Sequence, residues 1–114
     1  MASIYEDDGK DLMLDALGVA GAWASLHIVN GDEVSGGTPA YARKAITWAA
    51  ASGGSMAANG TLPVFDVPAC TVAFVGIYSA STDGTRYALI EVTNEVFAGQ
   101  GTYTVNAGTL DLNG

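Results

Sequence analysis

Two hydrophobic periods divide the chain. In "DDGKDLMLDALGVAG" the apolar residues Leu12, Met13, Ala16, Leu17 and Ala20 recur at helical spacing. That spacing predicts one short amphipathic helix over about residues 8–20. Asp7, Asp8 and Asp11 place negative charge where a helix N-terminus favours it, and Gly18 or Gly21 can end the helix. From Ala22 onward the period becomes two. The segments "AWASLHIV", "YARKAITWAA", "LPVFDV", "CTVAFVGIYS", "TRYALIEVT", "EVF", "TYTV" and "TLDL" are short and rich in β-branched and aromatic residues. Between them stand "NGDE", "SGG", "SGGS", "NG", "STDGT", "AGQG" and "NAG", whose glycines supply the positive φ angles of tight turns. The expected architecture is mainly β: an antiparallel β-sandwich or jelly-roll-like barrel of seven or eight short strands over about residues 22–113, with one short N-terminal helix, all in a single domain spanning 1–114.

In "TVAFVGIYS" strict alternation puts Val72, Phe74 and Tyr78 on one face and Ala73, Val75 and Ile77 on the other. A strand apolar on both faces is either central and covered twice, or buried by another subunit. "TRYALIEV" has the same character.

Composition sharpens this picture. Of 114 residues, 49% are hydrophobic and 14% charged, so the chain folds instead of remaining disordered. Its apolar residues are mostly small, which makes a lean core and leads to the expectation of a homo-oligomer. The net charge is −8 with only four Lys and Arg. Too few cations exist to displace counterions from a phosphate backbone, so neither nucleic acid nor an anionic membrane is an expected partner. The single Cys70 excludes an internal disulfide and a multi-cysteine zinc site, and reads as a small core residue. "MASIYEDD" has neither the basic nor the apolar region of a secretory signal, and the long uncharged run "AITWAAASGGSMAANGTLPVF" is broken by Gly, Asn and Pro. The expectation is a soluble protein made in a cytoplasm.

Candidate chemistry is sparse. "SGGTPAYARK" lacks the Walker spacing and leads into a strand instead of a helix, so it has no phosphate-binding dipole behind it. "YEDDGKDLMLD" would require aliphatic Ile4 as the first ligand of a calcium loop, which it cannot be. His27, the only histidine, lies inside an apolar alternation and reads as a satisfied strand residue in preference to a general base. Glu91 and Glu95 could form a glycosidase carboxylate pair, but nothing separates them from the other acids. Trp23, Trp48, Tyr78 and Tyr87 could stack on a sugar, although large aromatics in a small β-domain are more often core. No catalytic, cofactor or metal site is expected.

The order of segments "LMLDALG", "ASLHIVNGDEVSGG", "YARKAITWAAASGG", "VFDVPACTVAFVGIYSASTDGT" and "FAGQGTYTVNAGTLDL", from about Asp11 to Leu112, resembles a family of small virion proteins of tailed phages, particularly those of actinobacterial hosts. Some of its members have a longer "TADPG"-type loop where this chain has "NGDE". The resemblance implies a non-enzymatic virion structural protein assembled in the host cytoplasm. Two places in the particle follow from it. The first is a head decoration protein bound to the major capsid protein and stabilising the capsid surface, with a trimer favoured. The alternative is a minor tail or tail-fibre protein bound to other tail proteins, with host-glycan binding as an added role. The compact size and the absence of shaft repeats favour the head.

The only adjacent cations, Arg43 and Lys44, follow the turn at Gly36, Gly37 and Pro39. A strand over residues 41–48 would send Tyr41 and Arg43 to one face and Lys44 to the other. One of the two cations is expected to pair with a carboxylate of its own chain or a neighbour. Arg43 suits this better, because a guanidinium can make two hydrogen bonds to one carboxylate. Tyr41, Arg43 and Lys44 are the expected interface residues.

Overall fold

A computed structural model describes residues 5–60, 62–105 and 109–111. Helix α1 spans Asp7–Ala20, within a residue of expectation. The strands are β1 (Trp23–Ile28), β2 (Lys44–Ala45), β3 (Thr47–Trp48), β4 (Ser55–Asn59), β5 (Val64–Val67), β6 (Cys70–Tyr78), β7 (Arg86–Phe97), β8 (Gly101–Thr104) and β9 (Thr109–Asp111). They form a four-stranded sheet in the order β2-β1-β6-β7, a three-stranded sheet β3-β4-β9 and a two-stranded pair β5-β8, with every pairing antiparallel. The sheets stay open among the described residues, so the sandwich-like alternative holds and the barrel does not. The turn expected at 106–108 lies outside the described residues.

One core joins the layers. Ala24, Leu26, Val72, Val75 and Ile77 of the large sheet meet Phe65, Val67, Met56, Leu110 and Leu14 of the other elements, all buried. β1 and β6 are buried on both faces because they are the central strands, which accounts for the doubly apolar β6 within one chain. Strict alternation along β6 fails, however. The register slips between Val72 and Phe74, where both β1 and β7 change their pairing. A bulge of this kind moves a side chain to the opposite face. Val72 therefore joins Val75 and Ile77 in the core, and not Phe74 and Tyr78.

Three further expectations are corrected. The segment 41–48 is not one strand: residues 41–43 are irregular, and the remainder splits into β2 and β3 on different sheets. Ile46 makes the break, because its amide donates to the Ala22 carbonyl while its side chain is buried. Second, "TRYALIEVT" and "EVF" are one twelve-residue strand, and β4, "SMAAN", is a strand that its small residues conceal. Third, the helix buries a different face. Leu14 is its one fully buried residue, while Leu12 and Met13 of the expected apolar side are 73% and 40% exposed. The helix is apolar on two sides, and docking selects the one carrying Gly18, whose missing side chain admits Met56 and Trp48. Asp11 and Asp15 reinforce that choice by accepting the amides of Gly54 and Ala51 at 2.8 Å each.

Two glycine positions test this arrangement. At Gly76 a methyl group would collide with Ser25 Oγ and lie 2.6 Å from His27 Nε2, whereas Gly9 in the helix has open space around it. Gly76→Ala is expected to destabilise by about 2 kcal/mol through overpacking, and Gly9→Ala to stabilise by about 0.5–1 kcal/mol. Chemical denaturation of the two variants checks both signs.

Candidate functional site

Outside the core, the second face of the large sheet is covered by a loop and a set of polar side chains. β2 pairs with only Trp23 and Ala24 of β1, so the edge of β1 beyond them needs other partners. The Leu26 carbonyl accepts from Val34, and the Leu26 amide donates to Tyr41 Oη at 2.9 Å. Tyr41 in turn donates to Glu33 Oε2 at 2.8 Å, with its ring stacked beside Phe65.

Arg43 completes the cluster. Its Nε and one terminal nitrogen each donate to a different oxygen of Glu33 at 2.9 Å, the bidentate geometry anticipated for this residue. The other terminal nitrogen donates to the carbonyls of Ala80 and Asp83, at 3.0 and 2.7 Å, in the loop between β6 and β7. The guanidinium lies 3.6 Å from the Tyr78 ring centroid, within cation–π range. One side chain thus ties the 29–34 loop, the β6–β7 turn and the sheet together. Burial raises the cost of charging Glu33, but hydrogen bonds from Arg43 and Tyr41 outweigh it and hold its carboxyl below the usual value. The Glu33 hydrogen bond raises Arg43 further, and burial pushes the Tyr41 phenol upward.

Behind Tyr78 lies His27, its ring parallel and 6.0 Å away. His27 Nδ1 is 2.8 Å from the Gly31 carbonyl, which can only accept, so Nδ1 carries the proton. Nε2 is then the acceptor for the Ser25 hydroxyl at 2.7 Å. A serine donating to a histidine has the connectivity of a nucleophile and its base. Here both residues are buried, with Gly76 packed directly over them, so no substrate atom can reach the hydroxyl. Burial holds the His27 ring below its ordinary pKa, as suits a neutral structural histidine.

Of the three expected interface residues, Tyr41 and Arg43 are brought together and engaged within their own chain. Lys44 is half-buried on the strand edge, with no carboxylate partner among the described residues. Glu33, Ser25 and Gln100 escaped the sequence reading. Gln100 accepts from Thr38 and donates to the Pro39 carbonyl, fastening the Gly/Pro turn to the β7–β8 connection. Two of the four sugar-stacking candidates are occupied: Trp48 Nε1 donates to the Gly21 carbonyl and Tyr78 lies under Arg43, while Trp23 is half-buried and Tyr87 exposed. Cys70 is half-buried, with burial raising its thiol. Glu91 and Glu95 lie together along a groove of about 770 Å³ between β7 and β8. Among the described residues there is no cluster of potential metal ligands, and no helix is long and apolar enough to cross a membrane.

A family model described as podophage GP4 fiber I protein gp80 matches residues 23–113, which is the whole β region without the helix. No curated protein and no solved structure matches the chain.

Two measurements test the cluster. Arg43→Ala is expected to cost about 2 kcal/mol in chemical denaturation, less than for a fully buried pair because the Glu33 side chain is 27% exposed. Lys44→Ala is expected to change stability by no more than about 0.5 kcal/mol. The pH dependence has two stages. As pH falls below 6.5 the unfolded chain protonates its histidine while the folded ring resists, so stability declines. Below 4.5 a second loss follows as pH falls toward the depressed pKa of folded Glu33. His27→Gln is expected to abolish the first decline and retain the second.

Proposed function

The chain belongs to the family of the podophage GP4 fiber I protein gp80, and from that premise we propose that it is a structural component of the tail or its fibres, in place of the head decoration role that its compact size favoured. A phage virion component is common to both readings. The family match along the β domain carries the tail assignment, since the family's name specifies a fibre protein. An actinobacterial host for the phage is part of this proposal.

The role is non-enzymatic. Support comes from the Ser25–His27 pair, which is sealed beneath Gly76, and from an Arg43–Glu33 pair whose bonding capacity is spent inside the chain. Copies assemble as a homo-oligomer, with a trimer the favoured state, and contact other tail proteins. Leu12, Met13 and Val19 on the helix and Tyr87, Leu89 and Val96 on β7 supply exposed apolar surface for such contacts. At the β2 corner, Lys44 keeps an ammonium available to a neighbouring subunit.

Gold-labelled antibody on intact virions tests the placement: label is expected at the tail or its fibres. Label spread over the head would restore the decoration reading, with the major capsid protein as partner. Light scattering on the purified protein is expected to give a mass above that of one 11.6 kDa chain.

A further inference from the structure

β7 and β8 are consecutive in sequence and joined by residues 98–100, yet they do not pair with each other. Consecutive antiparallel strands usually do pair. Among the described residues β7 pairs only with β6 and β8 only with β5, so each presents a free edge there. The two strands meet at one end, where a side chain on Gly101 would strike the Phe97 ring. Beyond that end they diverge around the groove of about 770 Å³. Its lining consists of consecutive residues, 91–95 on one wall and 102–105 on the other. A sheet face would contribute alternate residues, so the groove is bordered by strand edges.

The β7 wall is also irregular. Glu91 pairs with Phe74 and Glu95 with Val72, so Val92, Thr93 and Asn94 stand opposite Ala73 alone. That bulge leaves extra backbone amides and carbonyls without ladder partners on β6. A free edge of this kind is a template for another strand.

Charge decides which strand. Glu91 and Glu95 flank the bulge and line the groove. Pairing with the same edge of a second copy would bring like charges together, and charged residues on an edge are a recognised means of preventing self-pairing. Of the four Lys and Arg, Arg43 is committed to Glu33, Lys10 lies on the helix and Lys44 on β2, and Arg86 stands alone at the start of β7, so no strand of a second copy offers basic residues at alternate positions to meet both glutamates. The geometry points to an extended segment of a different polypeptide, with basic residues at alternate positions, inserting between β7 and β8 as an added strand. Its backbone would pair with the free edges, and its basic side chains would meet Glu91 and Glu95. This surface is distinct from the Arg43 cluster and does not depend on where in the virion the protein sits.

Amide hydrogen exchange on the full chain tests this, with a synthetic peptide alternating threonine and lysine as the probe and its glutamate-for-lysine counterpart as control. The lysine peptide is expected to slow exchange at 92–94 and 102–104 and to bind at least about tenfold more tightly than the control. The double variant Glu91→Lys, Glu95→Lys changes only exposed side chains, so it is expected to fold and to reverse the preference. Thr93→Pro, within the bulge, is expected to weaken binding through loss of an edge amide. Protection located elsewhere, or a preference unchanged by the charge reversal, would overturn the inference. So would concentration-dependent protection of 91–95 without peptide, which would make the occupant a second copy.

Discussion

The bidentate ion pair between Arg43 and Glu33 fixes the half of this domain that the hydrophobic core does not. On the core side, β1, β6 and their neighbours are held by apolar burial, which is non-directional and tolerant. On the other side the chain must lay an irregular loop over the sheet and satisfy its backbone groups. Arg43 achieves this by using its donors on three segments at once and resting its plane on Tyr78. Tyr41, held to Glu33 by its hydroxyl, then replaces the strand that β1 lacks beyond Ala24. Lysine could not take this place, since it lacks the planar fork that serves a carboxylate and two carbonyls together.

The buried polar residues behind the ion pair follow the same logic. Ser25 and His27 lie on a strand whose two faces are both covered, so each must find a partner within the protein. Together they satisfy three polar groups, including the Gly31 carbonyl. Among the described residues no buried side-chain nitrogen or oxygen lacks a partner. A network so fully satisfied specifies one packing.

How much of this the sequence disclosed depends on the kind of information involved. The helix boundaries were legible because an acidic start and a glycine end bracket them, yet its buried face was not. Apolar residues stand on two sides of α1, and tertiary contacts, Gly18 against Met56 and Trp48 with Asp11 and Asp15 on the amides of Gly54 and Ala51, decide between them. The mainly β class was legible from alternation and turn glycines. Local irregularity was not: Ile46 hands the chain from one sheet to another, and a slip near Ala73 moves Val72 into the core. Small-residue strands such as β4 carry no β-propensity signal. For the candidate site, the chemistry of the Arg43 partner could be anticipated and its address could not. Glu33 precedes it by ten residues across a loop whose path is set by tertiary contacts. The β7–β8 groove was invisible for a related reason, since it exists only because two adjacent strands decline to pair.

Arg43 thus acts as an internal clip, and native-state amide exchange in Arg43→Ala tests that role most directly. If the clip holds the loops to the sheet, the amides of Leu26, Ser79 and Thr85 will exchange faster by more than the global loss of stability explains. The amides of the β1–β6 ladder will follow the global loss alone. Equal acceleration at every amide, or none at these three, would contradict it.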